Sequence, residues 1–159
     1  MQALTLASEL RAAPTSLTLA TRSVLFGDLT IGEGAHLQVD PQGSIELEGW
    51  RQLTMLGTLE ARGGSIRLTR PATTKDHANE GMAYSAEQQS RSIFLGENSR
   101  LLAGGVTRLD ASTRIALDDG QTADALRALG QYRGEVLAGG EVELDAGQGY
   151  LITRPGALI

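Results

Sequence analysis

The chain has 159 residues, 41% of them hydrophobic and 21% charged, which is enough apolar content for one domain with a continuous core and too much for a disordered chain. With 14 basic against 19 acidic residues, a net charge of −5 and Lys75 as the only lysine, it has no basic stripe to displace counterions from phosphates and no polybasic surface helix, so a nucleic-acid partner is not expected. Glycine numbers 20 while aromatics make up 4%, a balance that suits a thin aliphatic core with many tight corners better than a thick sandwich.

The first residues, Met1 to Glu9, have neither the basic start nor the apolar run of a signal peptide, and no apolar stretch is long enough to span a membrane. The absence of cysteine fits a cytosolic chain and equally a chain exported unfolded, in which a disulfide formed on the way would be an obstacle. If the chain is exported, it is expected to be a piece of a longer precursor, and the bare apolar end Gly156-Ala157-Leu158-Ile159 agrees with that expectation.

Short alternating runs then follow one another: Leu17-Thr18-Leu19, Leu29-Thr30-Ile31, Leu37-Gln38-Val39, Gly43-Ser44-Ile45-Glu46-Leu47, Leu53-Thr54-Met55 and Gly64-Ser65-Ile66-Arg67-Leu68. Apolar residues at i and i+2 with a polar one between mark strands with one wet face. Gly32, Asp40-Pro41, Gly49, Gly63-Gly64 and Gly96 close most of them. The five-residue motif returns as Arg91-Ser92-Ile93-Phe94-Leu95 and as Gly140-Glu141-Val142-Glu143-Leu144, with Ile115-Ala116-Leu117 between. From Ile45 to Ile66 is 21 positions, from Ile66 to Ile93 is 27, and from Ile93 to Val142 is 49, near two units with an insertion. A period in the low twenties predicts a β-solenoid in which each strand pairs with its counterpart one turn away and like aliphatic residues stack. A sandwich would call for longer strands and two-residue hairpin turns, and only Asp119-Gly120 offers one.

Two stretches interrupt the pattern, at about 70–91 and 118–134, and are predicted to hang outside the stacked core. The second contains a short α-helix candidate, with Thr122 as N-cap, Asp124 near its positive start, Leu126 and Leu129 on one face and Gly130 at its end. The first is polar and carries the candidate interaction residues Lys75, Asp76, His77, Asn79, Glu80 and Tyr84.

The blocks Gly63-Gly64-Ser65-Ile66-Arg67-Leu68, Ser92-Ile93-Phe94-Leu95-Gly96-Glu97-Asn98-Ser99-Arg100-Leu101 and Arg133-Gly134-Glu135-Val136-Leu137-Ala138-Gly139-Gly140-Glu141-Val142-Glu143-Leu144-Asp145-Ala146-Gly147 resemble the filamentous haemagglutinin family, the large exoproteins of bacterial two-partner secretion. The likeness covers about residues 43 to 159 and, more loosely, the earlier strands. It implies a right-handed parallel β-helix shaft, export through an outer-membrane transporter partner, and display at the cell surface or release. It also implies a parent protein that adheres to a receptor or glycan on a host or neighbouring cell, or delivers a toxin on contact. The Asn-Pro-Asn-Gly motif of the family's secretion domain is absent, as is a toxin-like C-terminal segment, so the resemblance is to an interior piece of shaft.

Other groups are weighed as chemistry. His36 begins a strand and reads as a surface or turn residue, whereas His77 has Asp76, Asn79 and Glu80 beside it but lacks the further ligands a metal would need. Ser85 has no Gly-x-Ser-x-Gly elbow around it. Glu141, Glu143 and Asp145 share one strand face and read as the solvated positions flanking Val142 and Leu144, although a carboxylate row could serve calcium or acid–base work. Gly32-Glu33-Gly34 reads as corner glycines and Trp50 as a corner aromatic. No catalytic, metal or cofactor residue is assigned.

The expectation is therefore one all-β segment over residues 1–159 with a structural or interaction role and no enzymatic activity. A β-helical carbohydrate-active enzyme and a cytoplasmic polymerising β-helix of the bactofilin type are the alternatives. Open apolar ends predict end-to-end self-association unless something caps them, such as residues 1 to 15 folded over one end.

Overall fold

The computed structural model describes residues 13–22, 27–71, 91–109 and 134–159. The segment with Lys75, Asp76, His77, Asn79, Glu80, Tyr84 and Ser85, the strand candidate at Ile115, the helix candidate at Thr122 and all but the last three of residues 1–15, named as a possible end cap, lie outside the described residues.

Every described element is a strand, and all but two of them belong to three parallel sheets. In the first, β1 (Leu17–Ala20), β4 (Ser44–Glu48), β7 (Ser65–Thr69) and β12 (Glu141–Asp145) lie side by side. The second holds β2 (Asp28–Ile31), β5 (Gln52–Met55), β8 (Ser92–Leu95) and β13 (Tyr150–Thr153). The third holds β3 (His36–Gln38), β6 (Thr58–Glu60) and β9 (Arg100–Leu102), and Leu158 joins it through a parallel bridge to Arg100. The chain visits the first, second and third sheets in that order and then repeats, so corresponding strands pair between successive turns. Four turns follow: β1–β3, β4–β6, β7–β9, and β12–β13 with Leu158. This stacked, parallel, all-β layout fits the β-solenoid that the spacing predicts. The remaining pair, β10 (Val106–Leu109) and β11 (Gly134–Leu137), forms an antiparallel ribbon between the third and fourth turns.

Alternation decides what lies inside. Leu17, Ile45, Ile66 and Val142 stand in one column, and Leu19, Leu47, Leu68 and Leu144 in the next. Leu29, Leu53, Ile93 and Leu151 form a third, and Leu37, Leu59 and Leu101 a fourth. The middle turns are sealed: Ile45, Leu53, Leu59, Ile66 and Ile93 are all 0% exposed. Each such side chain contributes about 1.5–3 kcal/mol by leaving water. The outer turns are open to different degrees. Leu17, Leu19, Leu29 and Leu37 are partly buried, whereas Leu151 is 48% and Ile159 60% exposed.

One spacing in the sequence misplaces a strand. Ile93 repeats the motif of Ile66, yet it pairs with Leu53 and Leu151 in the second sheet, while the partner of Ile66 in the next turn is Val142. Alternation reports that a strand has a wet face and a dry face; it does not report which side of the coil the strand occupies. The column that contains Ile45 and Ile66 at 21 positions then takes 76 to reach Val142, because the chain runs through residues 72–90 and 110–133 on the way.

The corners depend on close backbone approach. A Cβ added at Gly64 would land on the carbonyl oxygen of Gly43, and one at Gly140 on the carbonyl oxygen of Gly64. Those oxygens are fixed by hydrogen bonds from Ser65 N (3.1 Å) and Glu141 N (2.9 Å), so they have no room to retreat.

Candidate functional site

Outward-pointing side chains of the three sheets carry the described polar chemistry. On the third sheet His36 heads β3 and Glu60 ends β6 one turn on, with His36 Nε2 at 3.0 Å from Glu60 Oε2. Arg62, two residues past Glu60, donates from Nε to the other carboxylate oxygen at 2.5 Å. Glu60 is consequently held below its ordinary value of 4.5, first by the Arg62 hydrogen bond and then by His36, against the opposing effect of partial burial. The reading of His36 as a surface residue holds, and it gains a partner that the sequence does not announce. Glu60 and Arg62 are invisible to motif reading because the cluster forms only after β3 is laid beside β6 with His36 opposite Thr58.

On the first sheet the outward row runs Thr18, Glu46, Arg67, Glu143. Arg67 sits between two acids and reaches Glu143 Oε2 at 2.7 Å. Asp145 accepts a hydrogen bond from Gly147 N at 2.8 Å, the local contact of an Asx turn. The carboxylates Glu141, Glu143 and Asp145 thus perform solvation, ion pairing and turn formation. At the corner leading to the second sheet, Trp50 donates its indole N–H to Glu48, and Arg51 pairs with Asp28 of the previous turn. Gly32-Glu33-Gly34 makes a tight corner, closed by a hydrogen bond from Ala35 N to Gly32 O at 3.2 Å, with Gly34 at φ +74°.

The expected interaction segment is outside the described residues, but both of its roots are inside. Arg70 continues β7, is 1% exposed, donates from its main-chain N to Asp145 O at 2.7 Å and from Nη1 to Ala146 O at 3.2 Å. Arg91 precedes β8 and accepts from Tyr150 N at 3.2 Å. Both roots are therefore clamped to the fourth turn, at the corner between the first and second sheets. Beside them on the outer face of the second sheet lie Phe94, with the Arg154 guanidinium 6.0 Å from its ring, and the exposed Tyr150 and Ile152.

Among the described residues, no three His, Cys, Asp or Glu side chains converge as a metal site, and no helix is long and apolar enough to cross a membrane. What the described surface can do is hold charges in register from turn to turn and present the roots of residues 72–90 on a rigid wall.

Comparison with family models, with curated proteins and with solved structures returned no match.

Proposed function

We propose that the chain is a structural and interaction segment of a secreted or cell-surface bacterial exoprotein of the filamentous haemagglutinin kind. In this reading it is a stretch of right-handed parallel β-helix shaft, with extra-helical segments at about 70–91 and 118–134, the second including a short helix. The parent protein reaches the surface through an outer-membrane two-partner-secretion transporter and adheres to, or delivers a toxin to, a host or neighbouring cell. The segment itself spaces functional tips and is not a catalyst. Its interaction surface is the loop with Lys75, Asp76, His77, Asn79, Glu80 and Tyr84.

The observation that supports this reading most is the run of parallel pairing through four turns, with an aliphatic interior and an exterior of cross-turn ion pairs. A shaft needs that and no more: length from repetition, stiffness from hydrogen bonds along the stack, and solubility from its outer rows. The flanking coding sequence tests it. A secretion domain upstream with a transporter gene nearby is expected. Transporter-dependent appearance of the parent at the cell surface would follow. A complete reading frame that stops at Ile159 and yields a cytosolic product would overturn the proposal.

A further inference from the structure

The two ends of the coil differ in what they can stack against. Two residues before the first inward aliphatic of each first-sheet strand the chain places Gly43, Gly64 and Gly140, ahead of Ile45, Ile66 and Val142. A Cβ at any of them would strike the carbonyl oxygen one turn back, of Thr15, Gly43 and Gly64 respectively. A turn can therefore lie in register on its predecessor only if it starts on glycine. The first turn alone breaks the series, with Thr15, whose N and Oγ1 both donate to Asp40 Oδ2 at 2.9 and 2.8 Å.

At the other end the columns stop uncovered. Val142 and Leu144 are only partly buried, Leu151 is 48% exposed, and Ile159, next to the Leu158 bridge, is 60% exposed. Five large hydrophobic residues stand exposed on this face and its rim: Tyr150, Leu151, Ile152, Leu158 and Ile159. The outer row there is acidic, Glu141, Glu143 and Asp145. One turn back, the side chain that answers such acids is Arg67, which sits between Glu46 and Glu143.

Resting on the reading of the chain as a piece of coil, we infer that the face made by β12, β13 and Leu158–Ile159 receives one kind of occupant. That occupant is a further parallel coil turn that opens on glycine, follows with aliphatics two and four places on, and carries a basic residue between them. The first turn of a second copy does not qualify, since it would bring Thr15 onto Gly140 and Thr18 opposite Glu143. Antiparallel pairing of β12 with its own copy also fails, because it sets acidic rows against each other. Growth of the coil at this face is therefore selective for sequence and is closed to simple polymerisation of the chain.

The test extends the full chain after Ile159 with a copy of Glu60–Thr69. Gly64 lies six places after Thr58, and Leu158 holds the place of Thr58, so the copied glycine falls in the glycine column. The extension should raise the melting temperature by about 3–5 °C and remove concentration-dependent light scattering. A second extension with Gly64→Val in the copied segment only should give no rise, and one with Arg67→Glu in the copy a smaller rise than the parent extension. Equal stabilisation by the glycine and valine extensions, or none by either, would overturn the inference. So would head-to-tail oligomers of the unextended chain. These results leave the shaft reading untouched, since the flanking sequence tests that independently.

Discussion

Ile66 lies directly beside Val142 in the parallel ladder, although 76 residues separate them along the chain. The register of β7 and β12 is kept across that separation, from Ser65 opposite Glu141 to Thr69 opposite Asp145. The core is unequal along its length. Ile66→Ala, in a sealed turn, should cost about 3–4 kcal/mol through lost burial and a residual cavity. Val142→Ala, at the outer turn, should cost about 1 kcal/mol, because it removes fewer carbons from a side chain that is only partly buried. Urea denaturation of both variants measures the gap; equal losses would show that the fourth turn is covered.

Glycine 64 offers a sharper contrast between chemistry and size. Gly64→Ala adds one methyl group, yet that carbon lands on the carbonyl oxygen of Gly43. A backbone shift at the corner should cost about 2–3 kcal/mol. Ala in place of Gly104, where an added Cβ meets nothing within 4 Å, should cost almost nothing.

The roots of residues 72–90 define a deletion. In the fourth turn Asp145 and Tyr150 are joined by four residues, and the same two ladder positions in the third turn are Thr69 and Ser92. Joining Pro71 to Arg91 through a single glycine restores a four-residue corner. The deleted chain should keep its strand-rich circular dichroism and melt within about 5 °C of the parent, because the length of a connection between paired strands weighs only logarithmically on stability. On the proposed function, cell binding by the parent protein should be lost. Unchanged binding would move the interaction surface elsewhere.

The His36–Glu60–Arg62 cluster predicts an acid limit. Glu60 has a lower pKa folded than unfolded, so its contribution is fully present above pH 4.5 and fades as pH falls through the folded value. Glu60→Gln should flatten that part of the stability–pH curve while costing under about 1 kcal/mol at neutral pH, as expected for a pair near the surface. An unaltered acid slope in the variant would assign the limit to other carboxylates.

Exposed apolar residues on β13 favour non-specific association without head-to-tail stacking of turns. Leu151→Asp and Ile152→Thr together should reduce scattering at high concentration by several-fold, while Val136→Thr on the ribbon should matter less despite its 80% exposure, being a single isolated side chain.

Much of this architecture is written locally. Gly43–Leu47, Gly64–Leu68 and Gly140–Leu144 announce strands of one sheet because the same physical demand, a bare corner and then alternating aliphatics, recurs at each. Arg91–Leu95 meets the same demand on another side of the coil, so its likeness to Ile66 misleads about position while being right about conformation. The ion pairs were illegible for a related reason. His36 and Glu60 are 24 positions apart and become neighbours only once β3 and β6 are in register. Tying a buried Arg70 to the carbonyl of Ala146, 76 residues on, likewise needs the whole stack.

The parallel ladders have a mechanical consequence. Their hydrogen bonds point from turn to turn, along the direction in which the coil lengthens, so a pull on the two ends strains the first or last ladder before any other. Yielding would proceed as peeling, one loop of thread at a time, with the sealed middle turns giving way last. A filament assembled on this plan would lengthen in small steps under shear flow, with force-extension traces showing a series of modest drops in place of a single rupture.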